Sequence, residues 1–90
     1  MRDDVDILVG RALRRRRRLM GLTQAQVAEA VGVRFQQIQK YECAANRLSV
    51  HMLWKLAGVL DVEVGYFFAG IGRHDAARPA AAFGAYHRAA

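Results

Sequence analysis

The side chains of Gln36, Gln39 and Lys40 have the types and the spacing needed for hydrogen-bonded recognition. They fall at i, i+3 and i+4, so on a helix they share one face. Glutamine amides can bind base edges, and a lysine ammonium can bind a base or a phosphate. Ile38 and Tyr41 form an apolar i, i+3 stripe on the other side. The pattern predicts a helix that packs by one face and presents polar, nucleic-acid-binding side chains on the other.

Residue types that support catalysis or metal binding lack the necessary spacing. His51, His74 and His87 are not at metal-ligand distances along the chain from one another or from Cys43. The carboxylates show no paired pattern, and no glycine-rich phosphate loop occurs. Cys43 has no obvious base beside it, although its position near the polar face leaves a redox-sensing role open. We therefore expect no enzyme activity, no metal and no cofactor.

A second short helix precedes the polar one, and a tight turn joins them. Val27 and Val31 form an i, i+4 stripe on a helix predicted over residues 24–31, and the polar helix is predicted over residues 35–43. Gly32 can adopt the positive φ that ends one helix and redirects the chain within a few residues. This is the helix-turn-helix arrangement, whose second helix can enter a DNA major groove.

Further helical segments surround this pair. Helix one is expected to begin in residues 3–6, where carboxylates suit a helix N-terminus, and to end at Gly21. Ser49 caps helix four, and a short fifth turn follows at residues 64–68. The core positions expected on these segments are Val9, Leu13, Met20, Leu53, Leu56, Ala57, Leu60 and either Phe67 or Phe68. The predicted fold class is an all-α, five-helix bundle.

Length and composition divide the chain into one small domain and a tail. Ninety residues support a single core of limited size. Residues 1–69 carry the helical periodicity and form the predicted helix-turn-helix domain. Residues 70–90 are rich in Ala, Gly and Arg without apolar periodicity, so we expect a flexible tail.

The formal net charge of +6 suits a polyanionic partner, either nucleic acid or an acidic membrane surface, although excess charge also serves solubility. No apolar run approaches the ~20 residues that span a bilayer. The start of the chain is acidic where a signal peptide would be basic. A single cysteine cannot form an internal disulfide. We expect a cytoplasmic protein without membrane attachment.

Five consecutive arginines, Arg14 to Arg18, span about 400° of arc on a helix and cannot share one face. Arg17 falls on the core side, and the others are expected to spread over solvent. Some of them could approach phosphates that flank the groove. A solvated cationic face is the alternative, and it is the interpretation favoured for Arg15 and Arg18. An arginine-rich RNA-binding helix is a further alternative.

The segments GLTQAQVAEAVGV, FQQIQKYE and NRLSV resemble the Cro/C1-type, or XRE-type, helix-turn-helix regulators. The resemblance covers residues 9–68. It implies a phage-repressor-like DNA-binding domain and a transcriptional regulator that recognises double-stranded operator DNA. It carries no information about the operator sequence.

The resemblance places base contacts on the second helix of the motif. It implies them for Phe35, Gln36 and Lys40, and Gln39 lies on the same predicted face. Phe35 has two interpretations: it could pack inward, because it precedes Ile38 by three residues, or offer its ring to a thymine methyl group.

Backbone contacts are implied at other matching positions. Gln24 corresponds to a glutamine that contacts the DNA backbone and braces the recognition helix, and Asn46 and Arg47 lie in a loop similar to the family's phosphate-binding loop. Arg34 replaces the usual Ser or Thr cap, which costs about 1 kcal/mol. We hypothesise that a DNA phosphate compensates Arg34; a simple loss of the cap is the alternative.

Arg17 and Glu42 match the family's structural arginine–glutamate pair, which ties helix one to helix three. Cys43 and Ala44 stand where Arg and Gly usually follow that glutamate. A left-handed conformation at Ala44 would cost about 1 kcal/mol.

The sequence thus predicts a sequence-specific DNA-binding regulator that acts as a homodimeric repressor, with a regulatory protein partner as a further option. A protein–protein adaptor or antitoxin-type module would keep the fold without needing Gln36 or Lys40. RNA binding would depend on residues 14–18 instead.

Overall fold

The computed structural model describes residues 4–69, and all regular structure among them is helical. The elements are α1 (Asp4–Leu19), α2 (Gln24–Val31), α3 (Phe35–Glu42), α4 (Val50–Val59) and a 3₁₀ turn (Val64–Phe68). The predicted all-α class is confirmed, with the fifth element a 3₁₀ turn. The tail predicted for residues 70–90 lies outside the described residues.

Local capping explains where α2 begins and ends and where α4 begins. The Thr23 hydroxyl accepts a hydrogen bond from the Gln26 amide at 3.0 Å. The Gln26 side chain accepts one from the Thr23 amide at 2.8 Å, which completes a capping box at the start of α2. Gly32 ends α2 in the left-handed conformation, with φ of 82°. Ser49 caps α4 by accepting from the Met52 amide at 3.0 Å.

The core lies where the four helices and the 3₁₀ turn meet. Its fully buried side chains are Leu13, Val27, Ile38, Leu56, Leu60 and Phe67, with Val31 nearly so. Phe67 is 1% exposed and Phe68 is 38% exposed, so Phe67 covers the base of the bundle. The prediction that Met20 joins this core is wrong. α1 ends at Leu19, and Met20 lies in the turn beyond it with 39% of its surface exposed.

α1 and α3 approach so closely that one contact position accommodates only glycine. A Cβ atom added to Gly10 would lie 2.6 Å from the Tyr41 carbonyl oxygen and 2.7 Å from that of Glu42. Gly10 is buried within α1, where helix propensity alone would favour alanine. The glycine therefore sets the distance between α1 and the helix that carries the polar face.

Two cations stabilise helix C-termini, where carbonyl groups lack helical partners. The Arg16 guanidinium donates through Nε to the Leu60 carbonyl at 2.8 Å, at the end of α4. The Lys55 ammonium donates to the Val31 carbonyl at 2.8 Å, at the end of α2. Arg16 was expected to lie in solvent, and that prediction is wrong because the folded chain brings the end of α4 beside it.

Candidate nucleic-acid interface

α3 separates apolar from polar side chains as its sequence predicts. Ile38 is fully buried and Tyr41 is 8% exposed. Gln36, Gln39 and Lys40 are all exposed on the outer face. Three hydrogen-bonding side chains are therefore held at helical spacing on a helix whose opposite face is anchored in the core. Such a surface can bind base edges without unfolding any part of the domain.

Phe35, the first residue of α3, is 47% exposed. It does not insert into the core, so the inward-packed alternative does not describe this structure. This partly exposed aromatic residue at the start of α3 is available for an apolar contact.

The start of α3 lacks a side-chain cap. Arg34 occupies the N-cap position in an extended conformation, and its side chain makes no capping hydrogen bond. Arg34 is exposed, and its backbone directly precedes the amide groups that open α3. The positive end of the helix dipole and this cation together favour an anion at that end of the helix.

A buried hydrogen-bond network holds α3 against α1 and α2. Arg17 on α1 donates through Nε to Oε2 of Glu42 at 2.6 Å and through Nη2 to Oε1 at 3.0 Å. Gln24 on α2 donates through Nε2 to the same Oε1 at 3.0 Å. Arg17 also donates to the Leu22 carbonyl at 2.9 Å. The hydrogen bond to Glu42 raises the pKa of Arg17, which keeps the guanidinium charged.

The segment between α3 and α4 contains Asn46, which is exposed, and Arg47, whose guanidinium binds a carboxylate of α1. Arg47 donates through Nε to both Asp6 oxygens at 3.2 Å and through Nη2 to Oδ2 at 3.0 Å. The sequence did not indicate this partner for Asp6, whose position suggested only a favourable charge at a helix N-terminus. The ion pair ties the candidate phosphate-binding loop to α1.

The turn after α3 contains a strained residue. Ala44 adopts φ of 61°, the left-handed conformation anticipated from the glycine that usually stands there. Cys43 is the C-cap of α3, one residue beyond the helix, which was predicted to include it. Its thiol is exposed and contacts the Lys40 carbonyl at 3.7 Å. Ala44 thus adopts the left-handed conformation despite its Cβ atom.

Within residues 4–69, no group of histidine, cysteine and carboxylate side chains could hold a metal ion. In the same part of the chain, no helix is both long and apolar enough to cross a bilayer.

His51 stacks on Trp54 with ring centroids 6.3 Å apart, and both side chains are exposed on α4. His74 and His87 lie outside the described residues.

Residues 13–67 match the helix-turn-helix family HTH_3. A protein of Sinorhizobium fredii described as HTH-type transcriptional regulator y4aM is 48% identical over 64 residues, which are 71% of this chain and 45% of that protein. A Rhodospirillum rubrum protein described as a transcriptional regulator in the ATPase CF(0) region is 45% identical over 71 residues, 79% of this chain and 66% of that one. The chain thus spans about half the length of most curated relatives it matches.

Solved structures share the fold. The restriction-modification controller protein C.AhdI of Aeromonas hydrophila superposes with a TM-score of 0.66 and 29% identity, over 69% of this chain and 90% of that one. An HTH_3 family transcriptional regulator of Vibrio cholerae gives a TM-score of 0.69 and 25% identity, over 77% of this chain and 40% of that chain.

Proposed function

Because the chain belongs to the Cro/C1-type helix-turn-helix family of transcriptional regulators, we propose that it binds double-stranded operator DNA through α3. The observation that carries the proposal is the exposed row of Gln36, Gln39 and Lys40 on a helix with a buried opposite face. In this account α3 enters the major groove, where Gln36 and Lys40 bind base edges. Gln39 and the exposed ring of Phe35 add contacts at the margins of the same face.

Backbone contacts would set the register of α3 on the duplex. Gln24 already hydrogen-bonds to Glu42, so its amide can couple the start of α2 to α3 while facing a phosphate. Asn46 and Arg47 would bind phosphate beyond the other end of α3. Arg34 would bind a phosphate at the uncapped N-terminus of α3, where the helix dipole also favours an anion.

The proposed regulator acts as a homodimeric repressor on an operator with two related half-sites. Exposed apolar side chains on α4 support a self-association surface, since Val50 is 85% exposed and Trp54 is 66% exposed. We propose that α4 and the 3₁₀ turn contribute to this dimer surface. A repressor would then act by occupying its operator in competition with other DNA-binding proteins.

Gln36→Ala tests the proposal against Gln37→Ala. Gln37 lies on the flank of α3 and is half-buried, whereas Gln36 is on the outer face. Loss of one bidentate amide–base contact should cost about 1–3 kcal/mol on the preferred duplex and relax specificity at one base pair. Gln37→Ala should leave the preference among duplexes unchanged. Fluorescence anisotropy with the preferred duplex and single-base variants measures both effects.

An unchanged preference in Gln36→Ala would contradict base recognition by α3. If a protein partner then bound the variant normally, the adaptor function would take its place. RNA binding through residues 14–18 receives less support, since Arg17 is buried against Glu42 and Arg16 is bonded to the end of α4. Arg15 also contacts Tyr66, with the guanidinium 5.6 Å from the ring centroid.

A further inference from the structure

Three arginines form an unpaired cationic row on the outer face of α1. Arg11, Arg14 and Arg18 fall at i, i+3 and i+7, and all three are exposed. We call this set the arginine ridge. Within residues 4–69, no carboxylate lies at ion-pair distance from any of the three. Among the described residues, the ridge side chains also lack hydrogen bonds of the kind that the guanidinium groups of Arg15, Arg16 and Arg17 make to other parts of the fold.

The arginine ridge holds most of the excess positive charge of the described domain. Residues 4–69 contain ten basic and six acidic side chains, a formal charge of +4. Without the three ridge arginines that charge would be +1. If the positive charge served only solubility, it would be distributed over the surface. Here it is concentrated on one helix face. Such concentration favours a polyanionic partner over a neutral one.

The spacing of the ridge suits a phosphate backbone. At 1.5 Å of rise per residue, Arg11 and Arg18 are separated by about 10.5 Å along α1. Phosphates of one DNA strand advance about 3.4 Å per nucleotide along the duplex axis, so the ridge spans about three of them. Arginine also suits this role because its planar guanidinium can bind phosphate through two N–H groups.

The ridge adjoins the surface that the proposed function assigns to DNA. Arg11 and Arg14 line the same surface groove as Cys43 and Ala44, which follow the C-terminal end of α3. A duplex held against α3 would therefore pass one end of the ridge. We propose that the arginine ridge binds phosphates of duplex DNA outside the base-contacted sequence. The identity of this partner as DNA depends on the proposed function.

The test compares two variants that lose the same charge. The ridge variant carries Arg11→Gln, Arg14→Gln and Arg18→Gln, and the control carries Arg73→Gln, Arg78→Gln and Arg88→Gln in the part of the chain after the domain. Binding to an unselected duplex is measured by fluorescence anisotropy between 50 and 200 mM salt. Each lost phosphate contact should lower the salt slope by about 0.9, so the ridge variant should lose up to about 2.7. The control should lose less than half as much, and the ridge variant should keep its preference for the selected duplex.

Equal losses of slope in the two variants, or no loss in the ridge variant, would overturn the proposal. The proposal would also be overturned if the ridge variant lost salt slope only in binding to RNA, or only in binding to an acidic protein surface. If the wild-type chain showed no preferred sequence while the ridge variant still lost slope, base recognition by α3 would fail and the ridge would stand. Melting curves of the ridge variant should match the wild type, because the three exposed side chains make no hydrogen bond or ion pair within the described residues.

Discussion

At the residue scale, the Glu42 carboxylate positions α3 by joining three helices. It lies on α3, accepts two hydrogen bonds from Arg17 on α1 and accepts a third from Gln24 on α2. The Glu42 side chain is 4% exposed and that of Arg17 is 10% exposed. Burial of both charges makes the pair costly to break from one side, because the remaining charge would have no partner.

Glu42→Gln should therefore destabilise the protein strongly. The amide keeps the size of the side chain but leaves the Arg17 charge buried without its counter-ion, at a cost of about 3–5 kcal/mol. Urea denaturation followed by circular dichroism measures the free energy of unfolding. Asp6→Asn is the matched control, because its partner Arg47 has 68% of its side chain exposed. That substitution should cost less than about 1 kcal/mol. Equal losses of unfolding free energy in the two variants would show that the buried Glu42 pair does not stabilise the fold more than the exposed Asp6 pair.

The Arg17–Glu42 ion pair was predicted from the sequence, whereas the Asp6–Arg47 ion pair was not. Arg17 and Glu42 were identified because they match a family pattern. Asp6 and Arg47 are 41 residues apart, and no local signal distinguishes that pairing from solvation of two exposed charges. Only the packing of α1 beside the segment after α3 brings them together.

At the element scale, the helix-turn-helix was predictable because its signals are local. The Thr23 cap, the apolar stripe of α2 and the turn at Gly32 each act over a few residues. The position of α1 against α3 was not predictable from such signals. Gly10 is unfavourable by helix propensity and is explained only by the carbonyl groups that face it across the interface.

Gly10→Ala and Gly58→Ala should have opposite effects on stability. Both glycines lie inside helices, but nothing lies within 4 Å of a Cβ placed at Gly58. Alanine at Gly58 should stabilise the protein by up to about 1 kcal/mol through helix propensity. Alanine at Gly10 should destabilise it by about 1–3 kcal/mol, because α1 must move away from α3. Thermal unfolding of the two variants measures the difference, and stabilisation by both would contradict the close contact between α1 and α3.

At the scale of the whole molecule, the fold determines which positive charges are available to a binding partner. The sequence shows five consecutive arginines and a net charge of +6 without showing which cations serve the fold. In the structure, Arg15, Arg16 and Arg17 make contacts within the domain. The arginine ridge includes Arg11, which precedes the five consecutive arginines, and only two of those five. Net charge and folded charge distribution therefore lead to different expectations about the binding surface.

The measurement that tests the central claim most directly is selection of bound duplexes from a random DNA library at about 150 mM salt, which weakens non-specific attraction to phosphates. Operator recognition by α3 as a dimer predicts enrichment of one half-site repeated with two-fold symmetry. It also predicts that Gln36→Ala relaxes the base preference at one position of each half-site. A folded wild-type protein that enriches no sequence would contradict sequence-specific DNA binding.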